Sequence, residues 1–390
     1  MQIVCVQDNA RRYLEQLQEA EFDPRGISLQ DRKDIAQYYT KNLPMHNKEL
    51  QQRIEAFDNE LFRTRGYSPK EKLLGLALPT KYENPSYYSL MKNRFESIRE
   101  EAVNLKKDNS VWSFKDPVFG TLPTGQINAM AIQVPDSDDH LIVFEEQIIV
   151  FCNLLSKIIA QSIPQNNENT SPVNKSEIMI HLDENPQILA RFLQLITLYV
   201  TNERISDGTQ YNLDKKYDDF VSLFNHSIEL FLFGHEYGHI VQWKSEKIRL
   251  VEKKLRNETI SEIYHPWEEE FLSDMIGLNL MTSIMKRKHN VEPAWSLTGI
   301  QIILHAIHML DNVDSIVNTG NEIDYSDKAQ INPKVLSHPP ANMRWKTLEK
   351  FVIDDAGEWI LANSRGTQII LSTLWQKAMP RIKELQSGSH

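Results

Sequence analysis

The chain is 390 residues long, with 41% hydrophobic and 25% charged residues, 14 Gly and 17 Pro, a composition that excludes collagen-like, mucin-like and disordered chains. Its 43 Lys+Arg against 53 Asp+Glu leave a net charge of -10. That is the wrong sign for a protein that neutralises a phosphate backbone, so nucleic acid is not an expected partner. The length exceeds what one hydrophobic core usually serves and predicts two domains, or one with a large accessory region.

The first residues, MQIVCVQDNARRYLEQL, have no basic stretch leading into an apolar run, so no signal peptide is expected. Two cysteines, Cys5 and Cys152, are too few and too far apart for a disulfide framework, which makes a reducing, cytoplasmic compartment the expectation. The greasiest stretch, 141–160, is interrupted by Glu145, Glu146, Asn153 and Lys157, which a helix facing lipid would not tolerate, so no membrane span is expected.

From 8 to 108, apolar residues such as Ile54, Phe57, Leu61 and Phe62 recur at spacings of three and four and predict a run of helices. They carry no recognisable chemistry, and 1–115 reads as a helical accessory region. The texture changes near Asp116. A ProThrGly turn, an apolar run over 127–134, a ProAspSerAspAsp turn and a second apolar run over 141–144 predict a β-hairpin. Helices are predicted over 147–160, 185–201, 216–255, 267–287, 293–315, 341–353 and 367–385, with polar loops over 164–174 and 318–340. The basic run 244–256, interleaved with Glu246 and Glu252, reads as a solvated helix face. The fold class expected is α+β, predominantly helical, with one small sheet.

The chemistry lies in IELFLFGHEYGHIV. His235 and His239 are one helical turn apart on the same face, so two imidazoles can reach one metal ion, with Glu236 beside them toward a water on that metal. With 12 His in 390 residues, a random ordering of this composition would hold HExxH in roughly 3 chains of 100, so the motif needs support from its context. Three ionisable groups inside an apolar helix are costly to bury unless something compensates them, and a cation does. The bland alternative is a hydrogen-bonded pair of core histidines. The chain after His239 reads IVQWKSEK and has no third histidine at metzincin spacing, so the third ligand must come from elsewhere.

WEEEFLSDMIGLNLM follows, with Glu270 and Asp274 at i,i+4. Here the chain resembles the gluzincin metallopeptidases, whose second helix carries a Glu as third zinc ligand and, four residues on, an Asp that hydrogen-bonds the first motif histidine. The resemblance therefore implies Glu270 as ligand and Asp274 as partner of His235. Glu268 and Glu269 point to other faces and read as solvated charge, while His265, before Pro266 in a predicted loop, is a rival ligand by residue type. SerHisProPro at 337–340 followed by Arg344 and Leu348, and the pair Asn128-Ala129, are similar to the SHPP-xxxR-xxxL and edge-strand NA segments of the HtpX and CAAX prenyl protease group. The similarity runs from 116 to 351 and implies a zincin-like domain over 116–386. A weaker similarity, resting on HExxH and solubility, is to Lit-type phage-exclusion peptidases.

The expected function is a zinc-dependent endopeptidase acting on a protein or peptide, with one Zn2+ per chain on His235, His239 and Glu270 and with Glu236 as general base. His338 or Arg344 is the candidate oxyanion donor, and Asn128 and Ala129 the strand that pairs with substrate. Two alternatives are a catalytically silent zinc-binding module and a metal-dependent amidase acting on a non-peptide substrate. Glu236 speaks against the first, because a structural site needs no general base.

Overall fold

The computed structural model describes residues 3–23, 25–63, 71, 73–108, 116–164, 174–208, 210–242, 249–264, 267–324 and 338–387. The chain divides into two compact units, Met1–Ile149 with Leu232–Glu269, and Val150–Phe231 with Glu270–His390. This division does not follow the expected boundary at 115. The N-terminal helices share a unit with the sheet, and the first of them, Ile3–Ala20, buries Ala10, Leu14 and Leu17 on it. Among the described residues no helix is long and apolar enough to cross a membrane.

The first unit contains α1 (Ile3–Ala20), α2 (Leu29–Lys41), α3 (Lys48–Arg63) and α4 (Pro85–Asp108). Ser28 caps α2, its hydroxyl accepting from Asp31 N at 3.0 Å. On the sheet, β1 (Val118–Leu122) runs parallel to β3 (His140–Glu145), and β2 (Ala129–Gln133) pairs antiparallel with β3 from Ala129↔Phe144 to Gln133↔His140. The expected hairpin is thus present, joined by β1, which the sequence reading did not anticipate. Ala10, Leu14 and Leu17 of α1, spaced at helical intervals, are buried with Leu122, Met130, Ile132, Leu141 and Val143. Each such leucine contributes about 1.5–3 kcal/mol of burial.

The helix expected over 216–255 ends at Val241, and the chain then forms β4 (Arg249–Lys254) and β5 (Thr259–Tyr264), an antiparallel hairpin. A solvated helix face over 244–256 is therefore incorrect for Arg249–Lys254; 243–248 lie outside the described residues. The cause is tertiary. Leu255 and Ile260 enter the core formed with α1, and the Glu21 carboxylate accepts the backbone N–H groups of Arg256, Asn257 and Glu258 at 2.7, 2.9 and 2.5 Å. No local pattern over 244–256 reveals a partner more than 200 residues away.

The hairpin joins the sheet through the pair Ile132↔Glu262, giving the order β1-β3-β2-β5-β4. The strand that carries Ala129 is consequently an inner strand, and the expectation of a sheet edge there is corrected: the edges are β1 and β4. The outer side of β1 is itself occupied at Thr121, whose N–H and hydroxyl both donate to the buried Glu83 carboxylate.

Among its described residues the second unit is helical: most of α5 (Glu146–Ser162), α6 (Lys175–Glu184), α7 (Pro186–Val200), the first half of α8 (Asp218–Val241), most of α9 (Trp267–His289), α10 (Pro293–Thr319), α11 (Ala341–Ala356) and α12 (Ala362–Ser387). Helix α10 is the core element, buried at Ala294, from Ser296 to Leu304 and again around Met309 and Val313, as expected of a helix apolar on nearly all sides. Its Gly299 marks the closest approach to α8, where an added Cβ would lie 2.4 Å from Ser227 Cβ. The helices predicted over 185–201, 267–287, 293–315 and 341–353 are all present; α6 was not anticipated.

Candidate metal centre

Helix α8 carries HExxH in its last three turns. Phe233 packs against Phe95, Phe119 and Phe144, with ring centroids at 5.6, 5.9 and 5.3 Å, so the helix is fixed on the sheet immediately before the motif. His235, Glu236 and His239 are buried, at 4%, 6% and 4% exposure, and Tyr237 between them is fully enclosed. Burial pushes the Tyr237 phenol up, well out of the range in which it ionises.

The two imidazoles converge through their Nε2 atoms, 3.1 Å apart, with the ring planes at 83°. On α9, one turn apart, Glu270 and Asp274 are buried at 1% and 0% exposure. His235, His239 and Glu270 form a buried group whose ligand atoms all lie within 4.8 Å of one another, and this group could hold a metal ion.

The donor set fits zinc. Two nitrogens held 2.0–2.1 Å from a tetrahedral ion stand roughly 3.3 Å apart, close to the Nε2 separation found. Two imidazoles and a carboxylate are also the ligand types zinc accepts in hydrolytic sites, and a divalent cation offsets the cost of burying them together.

Arg344, on α11, donates from Nε to Asp274 Oδ2 at 2.8 Å and from Nη2 to Asp274 Oδ1 at 2.5 Å. This buried two-pronged pair replaces the expectation that Arg344 offers a donor to substrate: its guanidinium is turned to Asp274. The sequence carried the signal in part, since Arg344 and Leu348 are at i,i+4 on the buried face of α11, and a buried arginine requires a carboxylate. His338, immediately before α11, is half-exposed, with Nε2 3.8 Å from Glu270 Oε1, so it stands beside the metal group with part of its ring open to solvent.

Of the neighbouring acids, Glu268 is exposed as expected, whereas Glu269 is buried at 7% exposure. The first turn of α9 lies against the end of α8, where Gln242 Nε2 donates to the Glu269 carbonyl at 3.4 Å, so the expectation of solvated charge at Glu269 is corrected. The rival His265 lies outside the described residues. Asn128 precedes β2, and its carbonyl accepts from Glu145 N at 2.9 Å; neither it nor Ala129 belongs to the metal group.

Comparison of the chain with family models, with curated proteins and with solved structures returns no match.

Proposed function

We propose that the chain is a zinc-dependent endopeptidase. The observation that carries this reading is the buried meeting of the His235, His239 and Glu270 ligand atoms within 4.8 Å, with Glu236 next to His235 on the same helix. A purely structural zinc site has no use for that carboxylate.

When bound, zinc supplies Lewis acidity, polarising a scissile carbonyl and acidifying a water molecule. His235, His239 and Glu270 hold the ion in this reading. Glu236, buried beside His235, takes a proton from the attacking water at its carboxylate and returns it to the leaving amine. Asp274 orients His235 by accepting from its Nδ1–H, and Arg344 fixes Asp274 in turn. His338 is the donor to the developing oxyanion, since it combines a position 3.8 Å from Glu270 with an exposed ring. The substrate is a protein or peptide, and a cytoplasmic setting agrees with the sparse cysteines.

The test is zinc content measured together with cleavage of casein. The wild type should carry one zinc per chain and cut casein. Glu236→Gln should keep the zinc and the fold while losing most cleavage, because glutamine preserves size but cannot accept the proton. Undiminished cleavage by Glu236→Gln would remove the general-base role. Zinc binding with no cleavage by the wild type would favour the silent binding module.

A further inference from the structure

Three carboxyl groups are buried around one guanidinium where β3 passes into α5: Glu83, Glu145 and Glu146 about Arg32 of α2. Arg32 donates from Nη1 to Glu146 Oε1 at 2.6 Å and from Nη2 to Glu146 Oε2 at 2.8 Å. That pair balances itself, and among the described residues no other cation is paired with any of the three acids. Glu83 accepts from the Thr121 N–H and hydroxyl and from Gln18 Nε2. Glu145 accepts from the Thr124 hydroxyl on Oε2, while its Oε1 and the Arg32 Nε are buried with no partner among the described residues. The further titratable groups facing the cluster are Glu21 of α1 and Tyr87 and Tyr88 of α4, and none of them brings a positive charge.

Two more negative charges here would face a cation that Glu146 already neutralises, so the folded chain favours protons on Glu83 and Glu145. Burial pushes the Glu83 carboxyl up to about 7 and that of Glu145 up to about 8, the Glu146 charge adding in each case and hydrogen bonds from threonine opposing. The two acids also flank one residue of the sheet. Phe144 precedes Glu145 in β3, and its partner across the ladder is Thr121, the residue that Glu83 holds. Successive strand residues face opposite ways, so Glu145 turns to the cluster and Phe144 to the other face, where its ring centroid lies 5.3 Å from that of Phe233. Phe119 of β1 meets the same ring at 5.9 Å. Phe233 and His235 share one turn of α8.

We propose that the Glu83, Glu145 and Glu146 cluster is a proton-operated seat for the metal-binding helix: protonated, it holds β1 and β3 so that Phe119 and Phe144 fix Phe233, and on losing its protons it loosens that contact and weakens metal binding. The inference rests on the metal-binding part of the reading above and does not require peptide cleavage. An ionised Glu145 needs water at Oε1, which a buried junction admits only by opening locally. The proton leaves to solvent, and the strand end that carries Phe144 moves with the acid beside it. Because both carboxyls are raised above the usual value of 4.5, the seat is complete below about pH 4.5, weakens as the pH rises through about 7, and is lost by about 8.

The experiment uses the full-length protein, with zinc affinity read by competition against a chelator. Glu145→Gln holds the neutral form at every pH. It should bind zinc like the wild type at about pH 6 and about tenfold more tightly than the wild type at about pH 8.5, with slower amide exchange over 142–146 and 233–239 at the higher pH. In a Phe144→Leu background the same substitution should bring no gain in zinc affinity, since the contact through which it acts is gone. Should Phe144→Leu fail to fold, Phe233→Leu makes the same test from the other side of the contact. Equal zinc affinity of wild type and Glu145→Gln at about pH 8.5, whatever their difference in Tm, overturns the seat and leaves the acids a purely structural role. A gain that survives loss of the Phe144 or Phe233 ring overturns it too. Wild-type protein that binds no zinc at either pH removes the metal centre and the seat together, whereas the expected zinc response without casein cleavage upholds the seat and removes the peptidase alone.

Discussion

Arg344 holds Asp274 by two parallel hydrogen bonds, at 2.8 and 2.5 Å, between side chains that are 9% and 0% exposed. Breaking such a pair from one side leaves a buried charge uncompensated, which costs about 3–5 kcal/mol. Arg344→Leu should therefore destabilise the protein strongly in denaturant titrations. Arg344→Lys keeps the charge but loses the planar fork, and Asp274→Asn keeps the shape but loses the charge. Both keep a polar partner at the altered end, so both should be destabilised less than Arg344→Leu, remain folded at about 25 °C, and lose roughly 10–100-fold in zinc affinity or cleavage, as outer partners of metal ligands do. Wild-type metal affinity and cleavage in both variants would separate this pair from the metal site.

Metal analysis distinguishes the acids at the start of α9. Glu270→Ala should reduce bound zinc sharply, and Glu268→Ala, at an exposed position, should leave it unchanged. Glu269→Ala should lower stability, because the residue is buried, while keeping zinc stoichiometry near wild type. Equal zinc loss in all three would reject the ligand assignment. Chelation of the wild type should lower Tm, since an ion that binds only the folded state stabilises it.

Glu145 predicts a pH dependence of stability. Burial, with Glu146 nearby adding to it, pushes its carboxyl up from 4.5 to about 8, against an opposing hydrogen bond from Thr124. The fold thus favours the protonated acid. The stability this contributes is fully present below about pH 4.5 and is lost progressively as the pH rises to about 8. Glu145→Gln resembles the protonated form at every pH, so its stability relative to wild type should rise across that window. Parallel curves for the two proteins in urea titrations at pH 4.5, 6 and 8 would show that Glu145 does not carry the effect.

At Gly299 the α8–α10 contact leaves no room for a methyl group, since a Cβ would stand 2.4 Å from Ser227 Cβ and 3.0 Å from Ile228 N. One of these neighbours is backbone and cannot rotate aside. Gly299→Ala should cost about 1–3 kcal/mol through overpacking, despite the gain in helix propensity that alanine brings elsewhere. A Tm at or above that of wild type would show that the two helices separate freely.

Much of this protein is determined by sequence alone where the signal is local. The turn-by-turn spacing of His235, Glu236 and His239 sets their helical face before any packing is known, and the i,i+4 placement of Glu270 and Asp274 does the same on the next helix. The hairpin over 129–145 is equally legible, because two apolar runs on either side of a turn need no distant partner to be recognised. What the tertiary structure decided are the features whose cause lies far away in the chain. The 249–264 stretch is a hairpin because Glu21 caps its turn and Ile132 lies beside it. Glu269 is buried in a turn whose backbone carbonyl is bonded by Gln242 at the end of α8, and Arg344 serves Asp274 because α11 brings a guanidinium to a carboxylate 70 residues earlier. Charged residues read as solvated in a sequence, since exposure is their cheapest state. Only a folded chain can supply the opposite charge or the backbone amides that make burying them tolerable.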